Sequence, residues 1–80
     1  MDEKKYFYEI RTERLAFDGI FYETQTIYLT VNGETSLFQQ DIARQPEEAN
    51  RICELLNRHD LEPEQAKYVV EDCIIESYFV

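Results

Sequence analysis

Residues 15 to 22 read Leu-Ala-Phe-Asp-Gly-Ile-Phe-Tyr, and the Asp18-Gly19 pair at their centre decides how the chain begins to fold. Asp-Gly and Asn-Gly are the pairs that best accept the two left-handed positions of a two-residue hairpin turn, and Asn32-Gly33 follows as a second one. Tyr, Phe, Ile, Val and Thr dominate the flanking segments, which is typical of strands. The sequence therefore predicts three antiparallel strands, near residues 5 to 17, 20 to 31 and 34 to 40.

Two-residue turns also determine which residues lie opposite each other. In the first hairpin Phe17 is opposite Ile20, which carries Ile10 opposite Ile27. In the second hairpin Ile27 is then opposite Phe38. Because alternate residues of a strand point to opposite faces, this register collects the apolar side chains on one face: Tyr6, Tyr8, Ile10, Ile27, Leu29, Val31 and Phe38. We expect the other face to be exposed to water; it carries Glu9, Arg11, Glu13, Thr24 and Thr26.

From residue 46 the apolar residues recur at helical spacing, which predicts helices near residues 46 to 58 and 63 to 76. Pro46 and Pro63 each suit the first turn of a helix. The apolar stripes consist of Ala49, Ile52, Cys53 and Leu56, and of Ala66, Val69, Val70, Cys73 and Ile74. The fold class is therefore α+β: a three-stranded antiparallel meander followed by an antiparallel two-helix hairpin packed on one face (βββαα). With 80 residues we expect a single domain over residues 1 to 80.

Composition limits the functions open to such a domain. The formal net charge of −9 would repel nucleic acid. No apolar run reaches the length of a membrane span or resembles a signal peptide. Cys53 and Cys73 do not form a CxxC pair, so we expect both to be buried, reduced thiols and the protein to be cytoplasmic.

Several short segments resemble a known family. They are Lys5-Tyr6-Phe7-Tyr8, Gly19-Ile20, Gln40-Asp41-Ile42, residues 52 to 57, and Val69-Val70-Glu71-Asp72. Over most of residues 5 to 74 the chain resembles a family of short proteins of unknown function from Gram-positive bacteria. The apolar tail, residues 75 to 80, departs from that pattern. The resemblance implies no activity, because the function of that family is itself unknown.

No combination of residues indicates catalysis. His59 is the single histidine and is predicted to lie at a helix end without a catalytic companion. Adjacent carboxylates such as Glu71 and Asp72 point about 100° apart on a helix, so they do not converge on one ligand. We therefore expect a chain that is not an enzyme and that has no cofactor and no metal site.

The tip of the first hairpin is the feature that folding explains least well. Apolar residues surround the turn, where polar ones are usual; the predicted partner-binding set is Leu15, Phe17, Ile20, Phe21 and Tyr22. Such an exposed island often marks an interface. The alternative is that the tip packs on the helices or on the tail formed by Tyr78, Phe79 and Val80.

The leading functional hypothesis is therefore a protein-interaction or regulatory module that binds a protein partner or forms a homo-oligomer. Two alternatives stay open at this point. The first is an acidic mimic of nucleic acid that inhibits a basic protein through Glu64, Glu71, Asp72 and Glu76. The second is an enzyme whose site is completed only in an oligomer. A deep polar pocket would favour the enzyme, and a flat apolar patch would favour the module.

Overall fold

The computed structural model describes residues 5 to 79, with side chains through Ile74. One antiparallel sheet has the strand order β1-β2-β3 and is followed by two helices, which confirms the α+β (βββαα) prediction. The elements are β1 Tyr6–Phe17, β2 Ile20–Val31, β3 Glu34–Ala43, α1 Pro46–Arg58 and α2 Pro63–Phe79. β3 and α2 are both longer than predicted, and α2 extends into the apolar tail.

The first hairpin has the predicted register. Asp18 and Gly19 both adopt positive φ, at 53° and 79°, as a two-residue turn of this type requires. Phe17 lies opposite Ile20, and the pairing continues without a break to Tyr6 opposite Val31. The Asp-Gly turn therefore sets the register of twelve-residue strands on both sides of it.

The second hairpin begins as predicted and then departs from the prediction. Its register runs regularly from Val31 opposite Glu34 to Tyr28 opposite Leu37, and then shifts. Ile27 lies opposite Gln39, so the predicted pairing of Ile27 with Phe38 is wrong, because an irregularity in β3 inserts an additional residue. Phe38 nevertheless packs against the core, and its ring meets the Tyr8 ring edge to face at 5.3 Å between centroids.

The core forms between the predicted apolar face of the sheet and the two predicted helical stripes. Its buried members are Tyr8, Ile27, Leu29, Ile42, Ala49, Ile52, Cys53, Leu56, Ala66 and Val70. The remaining apolar residues of the sheet face are partly buried around it, as are those of α2: Tyr6, Ile10, Val31, Phe38, Val69, Cys73 and Ile74. α1 lies mainly against β1 and α2 against β3, so the helices cover one face only.

The opposite face of the sheet is less exposed than predicted. Thr24 and Thr26 are fully buried although no helix covers them, so their predicted exposure is wrong. Longer side chains of the same face shield them: Asp41 receives a hydrogen bond from Thr24, and its amide donates to Thr26. A face with no second layer above it can therefore still exclude water from short side chains between long ones.

Candidate interaction surface on the first hairpin

The distal half of the first hairpin extends beyond the rest of the sheet. β3 pairs with β2 only as far as Gln25, which lies opposite Ala43. Beyond that point residues 13 to 24 form a two-stranded ribbon, here called the hairpin arm. A two-stranded ribbon is marginally stable by itself in water, so contacts at its base and at its tip decide how well it holds its shape.

The tip of the arm is exposed. Phe17, Ile20 and Phe21 expose 76%, 69% and 64% of their surface. Exposure of this extent shows that the tip does not pack on the helices within the part of the chain that the structure describes. The side chains of Tyr78, Phe79 and Val80, the other predicted cover, lie outside the described residues.

The predicted partner-binding residues do not all share one face. Phe17 pairs with Ile20 and Leu15 pairs with Tyr22 on the face without helices. Phe21 pairs with Ala16 and therefore points to the other side of the ribbon. Its ring lies 5.0 Å from the guanidinium carbon of Arg14. The tip consequently presents apolar surface on both faces, and the larger part is on the open face, where Leu15 and Tyr22 are half-buried.

The end of β3 anchors the base of the arm. Asp41 accepts hydrogen bonds from Thr24 and, at 3.3 Å, from the Tyr22 hydroxyl. The guanidinium carbon of Arg44 lies 4.2 Å above the Tyr22 ring. Partial burial, together with the negative charge of Asp41, raises the pKa of Tyr22. Sequence reasoning did not find this anchor, because nothing local to Asp41 indicates a contact with Thr24 or Tyr22. Asp41 adopts φ 58°, a conformation that aspartate tolerates better than most residues.

A second polar cluster lies on the open face beside the arm. The Tyr28 hydroxyl donates to Glu13, and this hydrogen bond is the main cause of the lowered pKa of the Glu13 carboxyl. The guanidinium carbon of Arg11 lies 4.3 Å from the centre of the Tyr28 ring, and the same side chain pairs with Glu9 at 2.8 Å. The middle of the face is therefore charged, between apolar residues at its two ends: Phe7 and Leu37 at one, Phe17 and Ile20 at the other.

The outer edge of β1 is covered at one end by side chains of α1 and of the loop after it. The Asn57 amide accepts from the Tyr8 N–H and donates to the Tyr8 carbonyl, both at 2.8 Å. These are the two hydrogen bonds that a residue of a neighbouring strand would make. Asp60 accepts from the Tyr6 N–H at 3.0 Å. Sequence reasoning missed this arrangement, because nothing local to Asn57 indicates a contact with the first strand.

The single histidine and the two cysteines differ in their surroundings. His59 is an exposed C-cap residue of α1. Cys53 is buried, and burial raises the pKa of its thiol to about 11, whereas Cys73 is only partly buried, contrary to the expectation for both. A cleft of about 220 Å³ is lined in part by Asp41, Arg44 and Glu48, and His59 is not among its residues.

Neither helix, as far as the structure describes it, is both long and apolar enough to cross a membrane. The candidate interaction surfaces are therefore the hairpin arm and the outer edge of β1. Comparison of the chain with protein-family models, with curated proteins and with solved structures finds no match, so the resemblance noted from the sequence stays a prediction.

Proposed function

We propose that this chain is a non-enzymatic protein-interaction domain, and that the tip of the hairpin arm is its binding surface. The single observation that carries the proposal is the exposure of Phe17, Ile20 and Phe21 on a ribbon that extends beyond the end of β3. Large aromatic and aliphatic side chains are rarely left together in water, and such clusters commonly mark contact surfaces. The proposed partner is a second copy of the chain.

Two further observations support self-association. The arm has no third strand beside it, so it gains from contacts with another molecule. A domain of 80 residues buries a smaller fraction of its surface than a large one, so additional burial against a copy stabilises it measurably. Two-fold dimers are the commonest form of such assemblies.

Replacing Phe17 and Phe21 by Ser should weaken association and leave the fold intact. Truncating central aromatic residues of an interface typically costs about 2 kcal/mol, so the dimer Kd should rise at least about tenfold. Sedimentation equilibrium over a concentration series measures this change, and circular dichroism with thermal unfolding checks the fold.

Tyr68→Ala is the matched control, because Tyr68 is an equally exposed aromatic residue on α2. It should leave the dimer Kd unchanged. A wild-type protein that remains monomeric at all concentrations, combined with a lower melting temperature of the double variant, would show that the tip stabilises the fold and does not bind a copy.

A further inference from the structure

We propose that two copies of the chain associate through the uncovered outer edges of β1, with Thr12 of one strand opposite Thr12 of the other. The two three-stranded sheets then join into one antiparallel sheet of six strands. This inference deepens the proposed function and rests on it, since it specifies how the two copies meet. It follows from which backbone groups point outward, which of them are covered, and how charge is distributed along β1.

The hydrogen bonds at the start of β1 identify the outward residues. The N–H groups of Tyr6 and Tyr8 bond to Asp60 and Asn57, and therefore point away from β2. In an antiparallel pair the residues alternate between those bonded to one neighbour and those bonded to the other. The next outward residues along the strand are consequently Ile10, Thr12, Arg14 and Ala16.

The cover on this edge ends after Tyr8. Asn57 occupies the position that a neighbouring strand would take beside Tyr8, so a copy cannot pair there. From Ile10 to Ala16 no hydrogen bond to the outward backbone groups is present among the side chains of residues 5 to 74 or the backbone of residues 5 to 79. An uncovered run of this kind is a template for another strand. The segment open to pairing is therefore short and has a defined beginning.

Charge selects the register within this segment. With Thr12 opposite Thr12, each Arg11 lies opposite Glu13 of the other copy, and opposite charges facing each other across strands are favourable. Moving the register by two residues in either direction brings Glu13 opposite Glu13, or Arg11 opposite Arg11, which is unfavourable. Arg11 and Glu13 both lie on the open face, and each would add the contact across the strands to the partner it already has, Glu9 for Arg11 and Tyr28 for Glu13.

The same register is compatible with a two-fold symmetric dimer and with regular backbone hydrogen bonding between the two β1 strands. A two-fold axis through the Thr12 pair keeps the helices of both copies on the same side of the joined sheet. Thr12 then exchanges hydrogen bonds with Thr12, and Ile10 with Arg14 of the second copy, for about six backbone hydrogen bonds in all. Beyond Arg14 the two strands must diverge, because Asn57 of each copy occupies the position beside Tyr8 that Ala16 of the other copy would take.

The zero net charge of β1 reduces the electrostatic repulsion that two whole chains would otherwise feel. The net charge of −9 opposes the approach of two copies. β1 is neutral, because it contains two basic and two acidic residues: Arg11, Arg14, Glu9 and Glu13. By contrast, nine of the 17 acidic residues and only three of the eight basic residues follow residue 45. The β1 edge is thus where two copies meet with least repulsion.

Charge reversal tests the register. Arg11→Glu alone places Glu opposite Glu13, and Glu13→Arg alone places Arg opposite Arg11, so each variant should dissociate at least about tenfold more readily than wild type. An equimolar mixture of the two variants should form a heterodimer, because every facing pair in it is again of opposite sign. Native mass spectrometry distinguishes the heterodimer from either homodimer by mass.

Amide hydrogen exchange of the wild type provides a second measurement that needs no substitution. The amides of Thr12 and Arg14 should become protected as concentration rises, whereas those of Arg11 and Glu13 already bond to β2 and should not change. If the mixture stays monomeric and Thr12 exchanges at the same rate at all concentrations, edge pairing is wrong. If Phe17→Ser/Phe21→Ser still disrupts a dimer in that case, the tip interface of the proposed function stands without it. A monomer under every condition overturns both, and indicates that the charges of β1 protect the edge from pairing.

Discussion

Tyr8 connects the sheet to both the first helix and the loop that follows it. Its hydroxyl donates to the Leu61 carbonyl at 2.7 Å, and its backbone exchanges two hydrogen bonds with Asn57. Its ring packs edge to face on Phe38. Burial is the main cause that raises the pKa of the phenol to about 12. An aromatic residue in the first strand thereby depends on groups that follow about fifty positions later in the chain.

Tyr8→Phe should lower the free energy of unfolding by about 1 kcal/mol, because the partly buried Leu61 carbonyl loses its donor. It should also change the alkaline limit of stability. A phenol whose folded pKa is raised contributes stability that is complete below pH 10 and is lost as pH rises towards 12. Melting temperatures between pH 8 and 12 should therefore fall more steeply for wild type than for Tyr8→Phe. Tyr68→Phe, at an exposed position, should follow wild type, and parallel curves for all three proteins would contradict the assignment.

At the scale of elements, the β1–β2 hairpin could be predicted fully and β3 only in part. The two-residue turns leave visible signals in Asp18-Gly19 and Asn32-Gly33, and a fixed turn propagates its register along the strands. No glycine marks the register shifts of β3, which lie where Phe38 packs on Tyr8 and Asp41 bonds to Thr24. Local sequence therefore predicted the faces correctly but not the second pairing.

The candidate surface could likewise be predicted from the sequence only in part. The apolar tip was predictable, because aromatic residues beside a turn are visible in the sequence. The cover that Asn57 provides over the β1 edge was not, since it depends on where the end of α1 lies relative to Tyr8. Nor was the burial of Thr24 and Thr26, which requires Asp41 to reach across from another strand.

Asp41 joins β3 to β2 in two ways: its backbone N–H donates to Thr26, and its carboxylate accepts from Thr24 and Tyr22. A substitution series separates the contribution of the positive φ from that of the carboxylate. Asp41→Asn keeps the tolerance for positive φ and one acceptor oxygen, so it should be nearly neutral. Asp41→Gly keeps the backbone conformation but removes the carboxylate that accepts from Thr24 and Tyr22, so that Thr24 keeps only the Ala43 carbonyl as acceptor. Asp41→Ala loses both, and should destabilise by about 2 kcal/mol or more relative to wild type. Urea unfolding should therefore rank the variants Asn, Gly, Ala in increasing cost, and an Ala variant as stable as Asn would show that the anchor contributes nothing.

The whole molecule is elongated, with principal extents of 48, 30 and 20 Å, and its negative charge is concentrated towards the helices. Raising the salt concentration from about 10 to 150 mM shortens the screening length from about 30 to 8 Å. Repulsion between two copies that each carry −9 should then fall, while pairs in direct contact across β1 are screened less. The dimer Kd measured by sedimentation should therefore decrease with salt. A Kd that increases with salt would mean that attraction between opposite charges dominates over the repulsion of the whole chains.

The irregular register of β3 bears on how large the proposed assembly could become. A strand that offers evenly spaced N–H and C=O groups at each margin of a sheet lets molecules add without end, as in a fibre. In β3 the shifts near Phe38 and Asp41 break that even spacing, and a bulged strand also bends away from a flat neighbour. When two copies join through β1, the outermost strands on both sides are β3. If the copies associate as proposed, growth should therefore stop at the dimer and give a particle of fixed size, not a polymer.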